Sequence, residues 1–322
     1  MQHVGKRVPY YEVWNEPGHK FSAADIVRLT SATHAVQGKV APETKLLGFS
    51  STVRADWGKG RDRNHLPSLL DEVARLGGLS QVDGISFHGR HAFGYLARGY
   101  DERNLDTGFT ARLRTIMRRE GRADLPLWDT EFGISWRSPH PERMDALAGA
   151  AQGQLEYPRT IAPDVLDVAR QLPAVYAQAA ADGVATLAWF SLDSSIADIA
   201  HPERRWVFFD AMLEPMPHLA VFDAMTGILG AAKYNRTAER NDGTRSHLFS
   251  RDRDTVVLMY NWQERPVDVS IQMGNTTPLV LDVMGNPAEF QRSGESAISV
   301  SVDGWPKYIV VPGAAPAEIV IQ

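Results

Sequence analysis

An α/β domain built on a parallel sheet, followed by a small antiparallel β-sandwich, is the fold this sequence predicts. Strand and helix signals alternate five times over the first part of the chain, which calls for right-handed crossovers between parallel strands. After about Ala232 the character changes to short alternating runs separated by turn residues, the pattern of an antiparallel sandwich. The length of 322 residues, with 43% hydrophobic and 23% charged content, suits two globular domains. The expected division is residues 1–231 and 232–322.

The elements follow in order. Val8 to Trp14 is a β-branched and aromatic run closed by Asn15-Glu16-Pro17-Gly18, whose Pro and Gly mark a turn. Ser22 is placed to cap a helix over Ala23 to Lys39, where Ile26, Leu29, Thr30, Thr33 and Val36 recur near helical spacing. The pattern repeats as strand Lys45 to Ser50 with helix Leu66 to Leu76, and strand Gly84 to His88 with helix Phe109 to Glu120. Strand Leu125 to Thr130 is followed by helix Pro163 to Asp182, and strand Ala185 to Ser191 by a helix near Met216 to Leu229. In the second domain the expected strands are Thr255 to Tyr260, Val267 to Gln272, Leu279 to Val283, Ala297 to Val302, Tyr308 to Val311 and Glu318 to Ile321. Turns such as Asn241-Asp242-Gly243 and Gly285-Asn286-Pro287 separate them.

Composition narrows the function. A net charge of -5 supplies no diffuse positive field, so no nucleic-acid or membrane partner is expected. With no cysteine there is no disulfide framework, thiol nucleophile or thiolate metal site. No run approaches the length of a membrane span, and Met1 to Pro9 lacks the apolar core of a secretory signal, so a soluble chain is expected, with a cytoplasmic location slightly favoured.

In parallel α/β folds catalytic groups collect where strands end, and two acids stand there. Glu16 closes the first strand in VWNEP, and Glu131 closes the fourth in LPLWDTEFG. A carboxylic acid facing a carboxylate is what glycosidic cleavage needs, one protonating the leaving oxygen and the other attacking the sugar or activating water. Taken singly, an acid at a strand end is more often a solvated or helix-capping charge. His88 and His91 have a spacing that admits a metal reading, but no third ligand is in view and no metal or cofactor is expected. Arg90 between them suits a solvated loop better than an acidic sugar. Trp57, Trp136, Trp189 and Trp206 near strand ends suit stacking on a sugar face, although packing is the commoner role for each. Trp262 and Trp305 in the second domain invite a carbohydrate-binding reading against the more frequent structural one.

The VWNEP and TEFG segments resemble the clan A glycoside hydrolases, retaining enzymes on an eight-stranded (β/α)8 barrel of TIM type. The resemblance implies that Glu16 is the acid/base at the end of barrel strand four and Glu131 the nucleophile at the end of strand seven. It makes Ile85-Ser86-Phe87-His88 strand six and Leu187-Ala188-Trp189-Phe190 strand eight, with Trp189 as a sugar platform. Asn15 is then placed for a sugar hydroxyl, and His88 and Trp136 join the substrate-binding set. The run FFDAMLEPMPHLAVFDAM and the later LDVMGNP are most similar to family thirty-nine, the β-xylosidase and α-L-iduronidase group. The implied partner is a carbohydrate.

On that alignment the chain holds strands four to eight and lacks strands one to three, giving a partial barrel. Five strands cannot close an eight-stranded barrel, so both end strands present edges through which a homo-oligomer is expected. A fragment missing its first half is the other reading. Retention requires the two carboxyls about 5 to 5.5 Å apart, with Glu16 protonated at rest, its pKa raised by burial beside Trp14 and by the charge of Glu131. The alternative function is a carbohydrate-binding remnant of a truncated glycosidase with little or no turnover. A metal-dependent aldolase or isomerase on a barrel is a more distant alternative.

Overall fold

A computed structural model describes residues 7–52, 66–89, 109–134, 165–190, 192, 207–209, 213–262 and 266–322. These residues form two compact units. The first contains five strands, β1 (Tyr10–Glu12), β2 (Lys45–Thr52), β3 (Gly84–His88), β4 (Leu127–Phe132) and β5 (Val184–Trp189), with helices α1 (Ala23–Val40), α2 (Leu66–Arg75) and α3 (Phe109–Arg119). The strands lie in chain order, β1-β2-β3-β4-β5, every pair parallel. Among the described residues, strands β1 and β5 are the edges.

The helices form where the sequence places caps and apolar stripes. Ser22 caps α1 in a reciprocal box with Asp25, whose backbone N–H donates to the serine hydroxyl at 3.2 Å. In α2, Leu66, Leu69, Leu70 and Val73 are buried, and in α3, Phe109, Leu113 and Met117, one stripe each at helical spacing. Strand β3 is buried along its whole length, as a central strand covered on both sides requires. Replacing Ser22 by Ala leaves the Asp25 amide without its cap; we expect a loss of about 1 kcal/mol, read as a lower urea midpoint at unchanged m-value.

The sheet is curled into half a barrel, and two contacts show it. Strands β1 and β4 have β2 and β3 between them, so in a flat sheet they would stand about 14 Å apart. Yet the rings of Tyr10 and Trp128 lie 4.4 Å apart, and the Thr130 hydroxyl donates to Glu12 at 2.8 Å. Both pairs meet across the concave face. Strand β1 is shorter than the expected Val8 to Trp14 because an edge strand has one neighbour only, although the Val13 N–H still donates to the Leu47 carbonyl at 3.1 Å.

The second unit contains α4 (Val165–Ala181), α5 (Pro217–Leu229) and nine strands. Five of these, β6 (Lys233–Glu239), β7 (Arg245–Arg251), β8 (Asp254–Tyr260), β10 (Leu279–Leu281) and β13 (Lys307–Val311), form one antiparallel sheet in the order β10-β13-β8-β7-β6. The others, β9 (Val267–Gln272), β11 (Gln291–Arg292), β12 (Ala297–Val302) and β14 (Val320–Ile321), form the sheet β11-β12-β9-β14. Leu248, Val257 and Ile309 from the first sheet and Val269, Ile271 and Val300 from the second share one core, which makes a sandwich. Helix α4 packs on α5, where Tyr176 meets Phe222 edge-on at 5.8 Å, and on the β6–β8 face.

The hairpin β6–β7 is a correction to the sequence reading, which began its strands at Thr255. Its segments KYNRTAE and RSHLFSR carry too little apolar alternation to register as strands. The turn between them was legible: Asp242 Oδ1 accepts from Thr244 N–H at 3.0 Å, and Gly243 takes a positive φ of 83°. Of the two tryptophans in this unit, Trp262 packs on Tyr260 at 4.8 Å with the Arg170 guanidinium 5.5 Å from its ring centre, and Trp305 is 37% exposed.

Candidate active site

Three residues from three strand ends meet in the first unit. Strand β3 carries His88 at its C-terminal end, and its side chain is only 2% exposed. Glu16 follows β1 at the start of a 3-10 turn over Pro17–His19, with proline supplying the fixed φ of the first position. Glu131 lies near the end of β4 and is 9% exposed. His88 Nδ1 stands 3.0 Å from Glu16 Oε1 and 3.2 Å from Glu131 Oε2. One imidazole nitrogen thus joins the two acids picked from the sequence.

The hydrogen-bond roles follow from chemistry. An ionised carboxylate only accepts, so with both acids ionised Nδ1 carries the proton and donates to each. On the other side of the ring, Nε2 is 2.9 Å from the Ser50 hydroxyl, which donates to the ring when Nε2 carries no proton and accepts from it when it does. The second oxygen of Glu16 meets His19 Nε2 at 3.1 Å. Glu16 therefore faces two imidazoles, and Glu131 shares one of them.

Local backbone conformation builds this geometry. Glu16 adopts φ 47° and ψ 55°, the left-handed region, and Phe49 has φ 82° beside an irregularity in the β2–β3 register between Gly48 and Ser51. Both cost energy for residues with a Cβ, and such strain is found where a site demands it. They are linked, because the Glu16 N–H donates to the Ser50 carbonyl at 2.9 Å. The turn that directs Glu16 toward His88 is tied to the residue whose hydroxyl holds the far side of that ring.

The other sequence candidates are distributed more widely. Asn15 is exposed in the turn before Glu16. Trp189 ends β5, half buried, with its ring edge-on to Phe132 at 5.8 Å. Trp14 is 43% exposed and stands edge-on to Phe21 at 5.3 Å. Trp57, Arg90, His91, Trp136 and Trp206 lie outside the described residues. Among the described residues no group of three or more His, Asp or Glu side chains could hold a metal ion, and no helix is long and apolar enough to cross a membrane.

Two participants escaped the sequence reading. His19 had a signal: in a 3-10 turn residues three apart eclipse one another, so the spacing in Glu16-Pro17-Gly18-His19 already juxtaposes the two side chains. Ser50 had none, since its contact with His88 spans 38 positions and depends on the β2–β3 register.

No model of a protein family matches the sequence, and no curated protein matches it. Solved structures match the fold. A family 39 glycoside hydrolase from the gut symbiont Bacteroides cellulosilyticus WH2 superposes with a TM-score of 0.67 at 17% identity, over 96% of this chain and 59% of that one. A family 30 subfamily 8 xylanase from Clostridium acetobutylicum gives 0.58 at 11%, over 94% and 66%. An α-L-arabinofuranosidase from Thermotoga maritima gives 0.50 at 10%, over 97% and 66%. The chain has a glycosidase-like fold and spans about three fifths of the length of the first of these structures.

Proposed function

We propose that the protein is a retaining glycoside hydrolase in which Glu131 is the nucleophile and Glu16 the acid/base. The observation that carries the reading is the shared histidine. Oxygens at 3.0 and 3.2 Å from one nitrogen are at most about 6 Å from each other, which favours the close carboxyl pair of a retaining enzyme, about 5–5.5 Å, over the roughly 6.5–9.5 Å spacing that admits a water for inversion. In this reading β1 to β5 correspond to strands four to eight of the barrel, and the chain is akin to family thirty-nine.

The steps follow from the placement. Glu131 attacks the anomeric carbon while Glu16 gives its proton to the departing oxygen, leaving a glycosyl ester on Glu131. Glu16, now ionised, takes a proton from water, and the hydroxide equivalent displaces the ester with a second inversion, so the product keeps the original configuration. His88 serves both halves without moving. Its Nδ1–H donates to whichever oxygens carry charge, toward Glu131 at rest and toward Glu16 once Glu131 is esterified.

The test is a panel of aryl glycosides, with xylosides, arabinofuranosides, glucosides and uronides included, followed by proton NMR of the first-formed sugar. Retention of configuration is the expected result. Inversion would overturn the double displacement, and failure to hydrolyse any member would leave a carbohydrate-binding remnant as the better description.

A further inference from the structure

We propose that Asp129 and Gly89 form a matched clamp that positions the nucleophile strand against His88, an inference that rests on reading Glu131 as the nucleophile. Asp129 is fully buried, two residues before Glu131. Its Oδ1 accepts from the Gly89 N–H at 3.0 Å and from the Glu131 N–H at 3.3 Å. One carboxylate oxygen therefore holds the amide of the candidate nucleophile and the amide directly after His88. The ends of β3 and β4 are fastened at the point where their side chains must lie 3.2 Å apart.

The clamp also explains how Glu131 comes to point at His88. Trp128 and Thr130 face β1 across the concave side, so strict alternation sends Glu131 to the other side. The β4–β5 register is irregular between Asp129 and Phe132. By taking up the Glu131 amide, the Asp129 side chain stands in for a ladder partner at that irregularity, which frees the residue to turn.

Position 89 fits this and no larger residue. A Cβ built on Gly89 would fall on Asp129 Oδ2, far inside contact distance, and would also meet the Asp129 carboxyl carbon and Phe87 Cε2 at 3.0 Å each. Gly89 has no positive φ that would otherwise demand glycine. The glycine is there to let the carboxylate in.

The experiment compares Asp129→Ala, Asp129→Asn, Gly89→Ala and the Gly89→Ala/Asp129→Ala double variant in the full chain, with two readouts. The first is kcat and KM on the best aryl glycoside. The second needs no turnover: the His88 Nδ1–H signal in proton NMR of histidine-15N-labelled protein, slow to exchange because the ring is 2% exposed, and assigned by its loss in His88→Gln. A displacement on the order of 1 Å at a reacting group costs about 100-fold in rate. Asp129→Ala and Gly89→Ala should each lose about 100-fold in kcat with KM within about threefold, and should lose or broaden the His88 signal. Asp129→Asn, which keeps an acceptor oxygen, should stay within about tenfold. The double variant should be no worse than Asp129→Ala, since the clash disappears with the carboxylate. If Asp129→Ala does not fold, Gly89→Ala and Asp129→Asn carry the comparison. Retention of both kcat and the NMR signal in Asp129→Ala or Gly89→Ala overturns the clamp, as does absence of the signal from the wild-type protein. A wild-type protein that hydrolyses nothing defeats the glycosidase reading instead, and the NMR arm then decides the clamp alone.

Discussion

Glu131→Gln should lower kcat/KM by about 10⁴-fold or more while leaving the melting temperature within a few degrees of the wild type. The amide matches the carboxylate in shape, so packing around a residue 9% exposed is kept. What it loses is the ionised oxygen that forms the glycosyl ester. At about 1.4 kcal/mol per decade the loss corresponds to roughly 5 kcal/mol or more of transition-state stabilisation, beyond what neighbouring donors could restore. Glu16→Ala should behave differently. Removing a general acid costs about 10²–10⁴-fold, and least where the departing phenolate is already stable, so the deficit should shrink across aryl leaving groups of falling pKa. Steady-state rates for both variants on a nitrophenyl and an unsubstituted phenyl glycoside would separate the roles. Activity of Glu131→Gln within tenfold of the wild type, or a Glu16→Ala deficit indifferent to the leaving group, would sink the assignment.

The difference between those two acids and the residues around them shows what a sequence can disclose. Glu16 and Glu131 stand out because each closes a strand, and a strand end is a local property: an apolar run, then a turn or a glycine. Strand β3 was legible as a short span, Gly84–His88, in which Ile85 and Phe87 alternate with Ser86 and His88, and the structure buries it throughout. Asp129 carries no such local mark in LPLWDTEFG. Its meaning lies in an amide 40 positions away, which only the parallel β3–β4 pairing brings within reach. Ser50 is hidden likewise by its 38-residue separation from His88. The hairpin β6–β7 failed for another reason. Its edge strand β6 carries no fully buried side chain, so hydrophobic periodicity had nothing to mark there, and only the Asn241-Asp242-Gly243 turn betrayed it. The curl of the first sheet could not be read from alternation, because Tyr10 and Trp128 meet by curvature alone.

The second unit should lose stability steeply in mild acid, and two histidines are the cause. Burial, the larger influence for both, holds His218 and His247 down to about 4 from an ordinary 6.5; the Arg245 cation adds to the depression at His247, while the hydrogen bond to Val207 opposes it at His218. His218 Nε2 donates to the Val207 carbonyl at 2.8 Å, and His247 sits between the Thr237 hydroxyl at 2.9 Å and the Tyr260 hydroxyl at 3.0 Å. Both sites hold the neutral ring. Between pH 6.5 and 4 the unfolded chain binds protons at these positions and the folded chain does not, so stability falls as pH falls through that window and is fully present above it. A depression of this size is worth about 3 kcal/mol per histidine, and two approach the whole stability of an ordinary domain at 5–15 kcal/mol. Urea unfolding followed by tryptophan fluorescence at pH 7.5, 6, 5 and 4 should show the midpoint dropping with pH. His247→Gln, which can still bond both hydroxyls, should flatten that slope by about half while costing little at pH 7.5. A midpoint that does not move between pH 7.5 and 5 in the wild type, or a slope unchanged in His247→Gln, would place the burden on the carboxylates. These should act lower, since the Arg240 side chain, together with the Thr244 amide, holds Asp242 at about 2. Acid loss in the 6.5 to 4 window therefore belongs to the histidines, and a weakening confined below it to groups such as Asp242.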